Sequence, residues 1–600
     1  MGAVSAASRI NHANKPILIR RVISENRAGG HINLRPAAPV SRRRLRARAR
    51  GESRFLFAAN KALKRQPAFD KVGACSVSAK AFFPARAWRS VRAGARKASS
   101  HRVAPAGMNS HKILPGRGGR EPRRKLVYFS LVLLAGVLAA AADSRPNILF
   151  CLADDWSWPH AGVYGDRVVH TPNFDRIARA GVRFNYCFST VSSCSPSRAA
   201  MLTGQYPHRL EEGSCLWGFL PRRYPVYPKL LEKAGYVIGS TRKGWGPGDF
   251  RAGGYTRNPA GQAFPSFDAF LQTVPAGTPF CFWFGSHDPH RPYEAGSGAG
   301  IGLKTNKVVI PPYWPDNAVS RQDVLDYYWK VQRFDRDVGE VLAALDKAGR
   351  RDNTLVIISG DNGWPFPRCK ANVYDGGSRQ PLAVRWPARV KAGRVCEEFI
   401  SLMDLAPTCL EAAGLPPLPA MTGRSFLGLL TGAEKPGTRN TVFLERERHA
   451  NARAGDAGYP VRAIRTREFL YVRNLRPDRW PAGDPQAHKD PLSAFGDCDD
   501  GPTKSFILDH RDEPAVRQFY QLCFARRPAE ELYDLRRDPH QINNVAGQPA
   551  YAAAQKQLRA RLDQWQKDTA DPRLANDDDH WDRYPYFGPR ARMQQRPAQP

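Results

Sequence analysis

Short runs of apolar residues, each ending abruptly in polar residues, recur along the middle of this chain. The clearest, taken with the polar residues that end them, span 146–155, 280–292 and 353–363. An apolar run of this length between polar residues is typical of a strand buried on both faces. Open α/β sheets bind ligands at the carboxyl ends of their strands, so these polar ends are the first candidates for a functional site.

Helical periodicity separates the strand-like runs. Apolar residues recur at helical spacing in Asn173–Ala180, Pro228–Ala234 and Asp323–Ala348. Strands that alternate with helices predict an α/β fold with a mostly parallel sheet flanked by helices. After about residue 437, short strands such as Arg462–Thr466 and Phe469–Asn474 predict a small antiparallel sheet packed on the main domain.

These patterns divide the chain after residue 142 into three parts. We predict a large α/β domain over 143–436, a smaller α+β subdomain over 437–572 and a polar tail over 573–600. Residues 478–515 are rich in Asp, Pro and Gly, so they are predicted to be loops. The tail is expected to wrap the surface or to be disordered.

The first 142 residues differ in composition from the rest. Of the formal net charge of +36, residues 1–107 contribute +21 and residues 108–142 contribute +5, which leaves +10. A basic arm can bind nucleic acid. However, Met108 is followed by basic residues, the apolar run Leu126–Ala142 and three alanines before Asp143, the arrangement of a secretory signal peptide. We predict a signal peptide over 108–142 and a segment over 1–107 that is disordered or not translated. A membrane anchor is the alternative.

Removal of a signal peptide would bear on both the cellular compartment of the protein and the partners expected for it. An exported protein with no stable membrane span is expected. Its moderately basic surface suits an anionic substrate and does not require nucleic acid. Ten of the 11 cysteines follow residue 142, and an exported protein can hold some of them in disulfides.

Oxygen donors follow two of the predicted strands. Asp154 and Asp155 end the first, and Asp361 and Asn362, followed by Gly363, end another. Adjacent carboxylates repel one another unless a cation lies between them, although a solvated acidic loop or an ordinary turn also fits each pair. Three carboxylates and an amide favour Ca²⁺ or Mg²⁺ over Zn²⁺.

Cys194-Ser195-Pro196-Ser197-Arg198 precedes a predicted helix. A cysteine at a helix N-terminus lies where backbone N–H groups and the helix dipole attract anions. A buried or disulfide-bonded cysteine beside a helix that begins with proline is the alternative from these residues alone.

The pentapeptide, together with the Asp-Asp and Gly-Asp-Asn-Gly strand ends, resembles type I sulfatases. In that family the cysteine is oxidised to formylglycine by a maturation enzyme. The resemblance implies the alkaline-phosphatase-like fold and a cation, usually calcium, held by Asp154, Asp155, Asp361 and Asn362 with the formylglycine of Cys194.

Four cationic residues match the family's sulfate-binding positions. The resemblance implies that Arg198, Lys243, His290 and Lys370 neutralise the sulfate oxygens and that His290 or Lys370 protonates the leaving group. The chain departs from the family in one place, because Trp245 stands where the Lys-x-His histidine is usual. His160 is a candidate to replace it.

The segments around Asp361 and His290 look most like the heparan N-sulfatase (sulfamidase) branch. This favours an enzyme that cleaves N–S or O–S bonds of a sulfated glycan. A phosphate or phosphonate ester hydrolase of the same superfamily and a non-catalytic sulfoglycan-binding protein are the alternatives. The charged run Glu445–Arg453 is either a solvated face or part of the pocket rim.

Overall fold

Eight strands form the larger of two sheets in the computed structural model, which describes residues 145–487, 493–575 and 578–589. The predicted basic segment and signal peptide lie outside the described residues. The strands are β1 (Asn147–Ala153), β2 (Val182–Phe188), β3 (Val237–Arg242), β4 (Gln262–Ala263), β5 (Phe280–Gly285), β6 (Thr354–Gly360), β7 (Arg379–Arg385) and β8 (Arg394–Ser401).

The spatial order of this sheet is β4-β3-β5-β1-β6-β7-β2-β8. Only β7 runs antiparallel to its neighbours, so the prediction of a mostly parallel sheet is confirmed. In the register of β1 with its neighbours, Ala153 lies opposite Gly360, and Leu152 lies opposite Gly285. The polar segments that follow β1, β5 and β6 therefore emerge together at one edge.

Helices cover both faces of the larger sheet, and one more packs on the smaller sheet. The helices of the described residues are α1 (Pro172–Arg179), α2 (Cys194–Thr203), α3 (Tyr227–Lys233), α4 (Phe267–Leu271), α5 (Ser297–Gly300), α6 (Ala318–Lys347), α7 (Asp375–Ser378), α8 (Leu405–Ala412), α9 (Leu427–Thr431), α10 (Pro502–Asp509), α11 (Pro514–Cys523), α12 (Ala552–Asp568) and α13 (Pro572–Ala575).

Alternate residues of β1 contribute to two separate cores. Leu149 and Cys151 pack in the core that includes α1 and α6, whereas Ile148 and Phe150 pack in the core that includes α2, α3 and α8. This division follows from the period of two in a strand. It explains why β1 is apolar at consecutive positions.

The second sheet is small and antiparallel, as predicted. Its strands are β9 (Thr441–Arg446), β10 (Val461–Thr466), β11 (Phe469–Asn474) and β12 (Glu530–Asp534), in the order β12-β11-β10-β9. Helix α12 packs on this sheet, where Trp565 stacks on Phe443 with ring centroids 4.9 Å apart.

Three expectations from the sequence need correction or refinement. The segment 478–515 is not all loop, since it contains α10 and the start of α11, and each helix begins with a proline at its first position. Proline is favoured there because the first turn needs no N–H donor. The described part of the tail is packed, with Trp581 fully buried. The ten cysteines from Cys151 onward are all free thiols.

No helix among residues 145–487, 493–575 and 578–589 is long and apolar enough to cross a membrane.

Candidate active site

The oxygen donors that follow β1 and β6 converge at the edge of the larger sheet. The backbone N–H of Asp155 donates to Asp361 Oδ1 at 3.0 Å, and Asn362 Nδ2 donates to Asp155 Oδ1 at 2.6 Å. Asp154, Asp155, Asp361 and Asn362 are all buried. The four predicted cation ligands therefore form one cluster of three carboxylates and one amide.

The chemistry of this cluster fits a hard divalent cation. Asn362 Oδ1 is buried, and no hydrogen bond to it is found among the described residues. A buried acceptor without a partner is costly, and a cation would satisfy it. An all-oxygen donor set of this kind is the one that Ca²⁺ and Mg²⁺ prefer.

Cys194 is the first residue of α2 and points at this cluster. Its Sγ lies 3.5 Å from Asp154 Oδ1 and 3.8 Å from Asp155 Oδ1. Burial raises the pKa of the Cys194 thiol well above its ordinary value, although Lys243 and Lys370 act in the opposite direction. The unmodified side chain is therefore a neutral thiol and not a thiolate nucleophile.

Arg198, one turn further along α2, forms ion pairs with carboxylates that follow β1 and β6. Its Nε donates to Asp361 Oδ2 at 2.8 Å, and its Nη2 lies 3.4 Å from Asp154 Oδ1. Its Nη1 donates to the carbonyl oxygens of Lys243 and Gly244 at 2.9 and 2.8 Å. With no exposed surface, Arg198 fixes the carboxylates and the start of the Lys243 loop.

Lys243 and Lys370 face the two adjacent carboxylates. Lys243 Nζ contacts both oxygens of Asp154, at 2.7 and 2.6 Å. Lys370 Nζ donates to Asp155 Oδ2 at 2.8 Å and to Asp499 Oδ2 at 3.0 Å. Each carboxylate thus has an ammonium partner at the edge of the sheet.

His290 is the most open of the predicted site residues, with 36% of its side chain exposed. Its Nε2 lies 3.7 Å from Asp155 Oδ2, and its Nδ1 lies 2.5 Å from the carbonyl oxygen of Arg291. A carbonyl oxygen accepts only, so Nδ1 carries a hydrogen and donates to it. Nε2 is then the nitrogen that is free to exchange a proton in the site.

The charges of the cluster influence one another strongly. Burial alone would raise the pKa of Asp154, but Lys243, His290 and Arg198 hold it well below its usual range. Burial would lower the pKa of Lys370, but Asp155 and Asp499 raise it well above its ordinary value. Four cationic side chains around three carboxylates suit an anionic ligand.

The expectation that His160 replaces the missing histidine is wrong. His160 is buried among aromatic residues, with Nδ1 3.2 Å from the hydroxyl of Tyr327 and its ring 4.2 Å from that of Trp364. Burial lowers the pKa of His160 to about 4. Trp245 is a core residue that packs in the same apolar cluster as α2 and α3.

Two residues of the smaller subdomain also reach the site: Asp499, which was not predicted, and His449, which belongs to the run Glu445–Arg453, for which a pocket rim was the alternative to a solvated face. Asp499 bonds Lys370, and His449 Nδ1 lies 2.8 Å from Oγ of Ser193, the residue before Cys194. The run Glu445–Arg453 is mostly buried and not a solvated face. Asp499 belongs to an acidic stretch, and its composition resembles that of any exposed loop, so the sequence held no signal for it.

Comparisons with known proteins agree with this geometry. The family model described as sulfatase matches residues 146–415, and the one described as N-sulphoglucosamine sulphohydrolase, C-terminal, matches residues 360–493. Human N-sulphoglucosamine sulphohydrolase is 32% identical over 497 residues, which cover 74% of this chain and 93% of that protein. An ulvan-active sulfatase of Formosa agariphila is 29% identical over 467 residues, which cover 70% and 74%.

A solved structure of a protein in complex with its substrate D-glucosamine-2-N,6-O-disulfate shares the fold. It has a TM-score of 0.53 and 20% identity, and the match covers 72% of this chain and 99% of that one. The alkaline-phosphatase-like fold is thereby confirmed. On the strength of its sequence relatives, this chain belongs to the sulfatase family of sulfuric ester hydrolases, in the sulfamidase-like branch.

Proposed function

We propose that this chain hydrolyses sulfamate or sulfate ester groups of a sulfated glycan, with Cys194 converted to formylglycine as the nucleophile. The observation that carries the proposal is the position of Cys194 Sγ, within 3.8 Å of both adjacent carboxylates, each of which also bonds one lysine, Lys243 or Lys370. The names of the relatives, which specify N-sulphoglucosamine and ulvan, support a glycan substrate.

Two groups absent from the unmodified chain complete this chemistry. A divalent cation, Ca²⁺ or else Mg²⁺, held by Asp154, Asp155, Asp361 and Asn362, would supply positive charge that activates the nucleophile and balances the sulfate. Hydrated formylglycine supplies two hydroxyl groups on one carbon, one to attack sulfur and one to expel sulfate afterwards by C–O cleavage.

The side chains of this protein would bind and orient the sulfate group. Lys243 donates a hydrogen bond to Asp154 and Lys370 donates one to Asp155, so the two ammonium groups lie at different carboxylates of the cluster. Their ammonium groups would stabilise negative charge on the sulfate oxygens in the transition state. Arg198, whose three side-chain nitrogens all have partners within the protein, would keep Asp154 in place.

Proton transfer to the leaving group falls to His290 or Lys370. The open Nε2 of His290 can hold a proton beside Asp155, because its Nδ1 is committed to the carbonyl oxygen of Arg291. The raised pKa of Lys370 keeps that side chain protonated. A general acid must lie within hydrogen-bonding reach of the leaving atom, which favours the more exposed His290.

Mass spectrometry of the peptide that contains residue 194 tests the proposal most directly. After co-expression with a formylglycine-generating enzyme, we expect conversion of Cys194 to the aldehyde and release of sulfate from N-sulfoglucosamine. Cys194→Ala, purified in the same way, should release none. An intact thiol at residue 194 together with full activity would contradict the mechanism.

Trp245 favours a second candidate function, a sulfoglycan-binding protein without turnover. Its side chain is buried in an apolar core, where it offers no group that can accept a proton in the second half-reaction. Glycan binding without sulfate release by fully converted protein would establish this second function. Hydrolysis of phosphonate esters but not of sulfated sugars would instead indicate the phosphoryl branch of the superfamily.

We also propose that the protein is exported and that maturation removes residues 108–142. The basic stretch, the apolar run Leu126–Ala142 and the alanines before Asp143 support this. The catalytic domain would then span 143–436 and the smaller subdomain 437–572. N-terminal sequencing of protein recovered from outside the cytoplasm would show a start near Asp143, and a start well before residue 126 would contradict cleavage.

A further inference from the structure

A short acidic loop of the smaller subdomain, residues 496–501, is fixed against the active site. Its Asp497 is buried and accepts hydrogen bonds from Arg453 Nη2 at 2.6 Å and from the backbone N–H of Ala450 at 2.8 Å. Arg446 forms a further ion pair with the same carboxylate. The acidic loop is therefore anchored to the buried segment that follows β9.

Lys504, in the first turn of α10, fixes the other side of the acidic loop. Its buried Nζ donates to the carbonyl oxygens of Cys498 and Phe495 at 2.8 and 3.2 Å and to Asp500 Oδ1 at 2.8 Å. A lysine that donates hydrogen bonds to several carbonyl oxygens of a loop restrains the loop backbone to one conformation. Asp499, between these anchors, is thus presented in a fixed position.

Asp499 lies beside the two candidate general acids. Its Oδ2 accepts from Lys370 Nζ at 3.0 Å, and one of its oxygens lies in a group with atoms of Asp155 and His290 that are all within 4.8 Å of one another. Its side chain keeps 28% of its surface exposed, whereas that of Lys370 keeps 4%. Burial would raise the pKa of Asp499, but Lys370 and His290 hold it below the usual range.

A carboxylate is unexpected in a site for an anion, since it repels sulfate oxygens. Cys194 Sγ approaches the Oδ1 atoms of Asp154 and Asp155, whereas Lys370 and His290 approach Oδ2 of Asp155. The leaving group departs on the side away from the nucleophile. Asp499 therefore suits a hydrogen-bond donor on the leaving group better than it suits the sulfate.

We propose that Asp499 is a specificity-determining residue that accepts a hydrogen bond from the N–H of a sulfamate and thereby favours N-sulfated hexosamines over O-sulfated ones. This inference rests on the proposed sulfatase function. The bridging oxygen of a sulfate ester carries no hydrogen, so it offers Asp499 no donor and places lone pairs against the carboxylate. A site whose acceptor finds a hydrogen-bond donor on one substrate and none on the other discriminates strongly between the two substrates.

The reaction at the sulfamate needs only water as a further reactant, which rehydrates the aldehyde after sulfate has left. The S–N bond breaks with its electron pair on nitrogen while a hydroxyl oxygen of the residue at position 194 loses its proton and bonds to sulfur, and that proton replaces the one that the general acid gives to nitrogen. Nitrogen takes one proton from His290 or Lys370 and leaves as a primary amine. Asp499 accepts a hydrogen bond from this nitrogen before and after cleavage and is itself neither protonated nor consumed.

Asp499→Asn tests the inference, with Asp500→Asn as a matched control. Asp500 lies in the same acidic loop and is 68% exposed. We expect Asp499→Asn to lower kcat/KM for N-sulfoglucosamine about 10- to 100-fold, the range for a hydrogen bond to a charged group, and to change that for 4-nitrophenyl sulfate by less than about threefold. Asp500→Asn, whose amide oxygen can still accept a hydrogen bond from Lys504, should change neither.

An equal loss on both substrates would overturn the inference, because Asp499 would then act only by positioning Lys370. No loss of kcat/KM on either substrate would overturn it as well.

Binding of the product separates this inference from the proposed function. Calorimetry should show that the unmodified protein binds glucosamine more tightly than 2-deoxyglucose, which has no hydrogen-bond donor at the position of the amine, and that Asp499→Asn loses this preference. If converted protein hydrolyses neither substrate but shows that preference, the proposed function fails, and recognition of the amine nitrogen by Asp499 is still supported. If it hydrolyses N-sulfoglucosamine without the preference, the inference fails alone.

Discussion

The surroundings of Cys194 distinguish it from the other buried thiols of the chain. Cys151 is surrounded by apolar side chains, and burial alone raises its pKa. Cys194 is equally buried, but two lysines and three carboxylates surround it, with opposing effects on its pKa. Burial prevails, so the thiol stays protonated at neutral pH. The proposed conversion to formylglycine would put oxygen atoms in place of this thiol, beside the same lysines and carboxylates.

We predict that His160 makes the free energy of unfolding depend on pH. Its pKa falls from 6.5 to about 4 because burial disfavours the charged ring. Between pH 6.5 and about 4 the unfolded chain therefore binds a proton at His160 that the folded chain does not bind. The free energy of unfolding consequently decreases as the pH falls below 6.5. His160→Gln should lose about 2 kcal/mol less unfolding free energy than the unmodified protein between about pH 7 and about pH 5.

Urea unfolding of both proteins at the two pH values measures this difference. The other histidines are common to both proteins, so their contributions cancel in the comparison. Glutamine retains a group that can hydrogen-bond to the hydroxyl of Tyr327, which limits the packing change. Parallel pH dependences of the two unfolding free energies would show that His160 takes up its proton in the folded state.

At the scale of elements, the predictable part of the site consists of strand ends. Asp154, Asp155, Asp361 and Asn362 follow β1 and β6, and the in-register pairing of two adjacent parallel strands brings them together. A local sequence pattern and one rule of sheet topology therefore suffice to predict that these four residues lie together. Asp499 comes from a loop whose position depends on Arg453 and other distant residues, which no local pattern reveals.

Helix α6 illustrates a boundary that periodicity misses. Apolar spacing predicted its start at Asp323, whereas the helix begins at Ala318 because Asn317 Oδ1 accepts a hydrogen bond from the backbone N–H of Ser320 at 2.9 Å. The first turn is held by this cap and not by an apolar face. Asn317→Ala should lower the unfolding free energy by about 1 kcal/mol.

Asn317→Asp, which keeps an acceptor at the cap, is the control for this substitution. Denaturant unfolding should place it close to the unmodified protein, and sulfatase activity should be unchanged in both variants. A loss as large in Asn317→Asp as in Asn317→Ala would show that the cap does not stabilise α6.

At the scale of the whole molecule, charge content alone did not indicate which charged segments are buried. Glu447 pairs with Arg462 at 2.7 Å and with Arg573 at 2.7 Å, and Arg462 also pairs with Asp571. These partners lie up to 126 residues apart in sequence. Buried charges are tolerated because they are paired, and pairing at that separation cannot be read from one segment.

Cation binding should stabilise the whole molecule, because the cluster of three carboxylates directly follows the two central strands of the larger sheet, β1 and β6. A ligand that binds only the folded state adds about 2.7 kcal/mol of unfolding free energy at a hundredfold excess over its Kd. In protein treated with a chelator and then dialysed, Ca²⁺ should therefore raise Tm, as measured by differential scanning fluorimetry. Asn362→Ala, which removes the unpartnered Oδ1, should weaken the shift.

The exposed amide of Asn440 provides the matched control, and Asn440→Ala should respond to Ca²⁺ like the unmodified protein. Mg²⁺ serves as the competing cation, since a smaller ion demands stricter octahedral geometry than Ca²⁺. A shift with Mg²⁺ and none with Ca²⁺ would assign the site to Mg²⁺. An equal Ca²⁺ shift in Asn362→Ala would remove Asn362 from the ligand set, because a cation held without that oxygen would be bound by the three carboxylates.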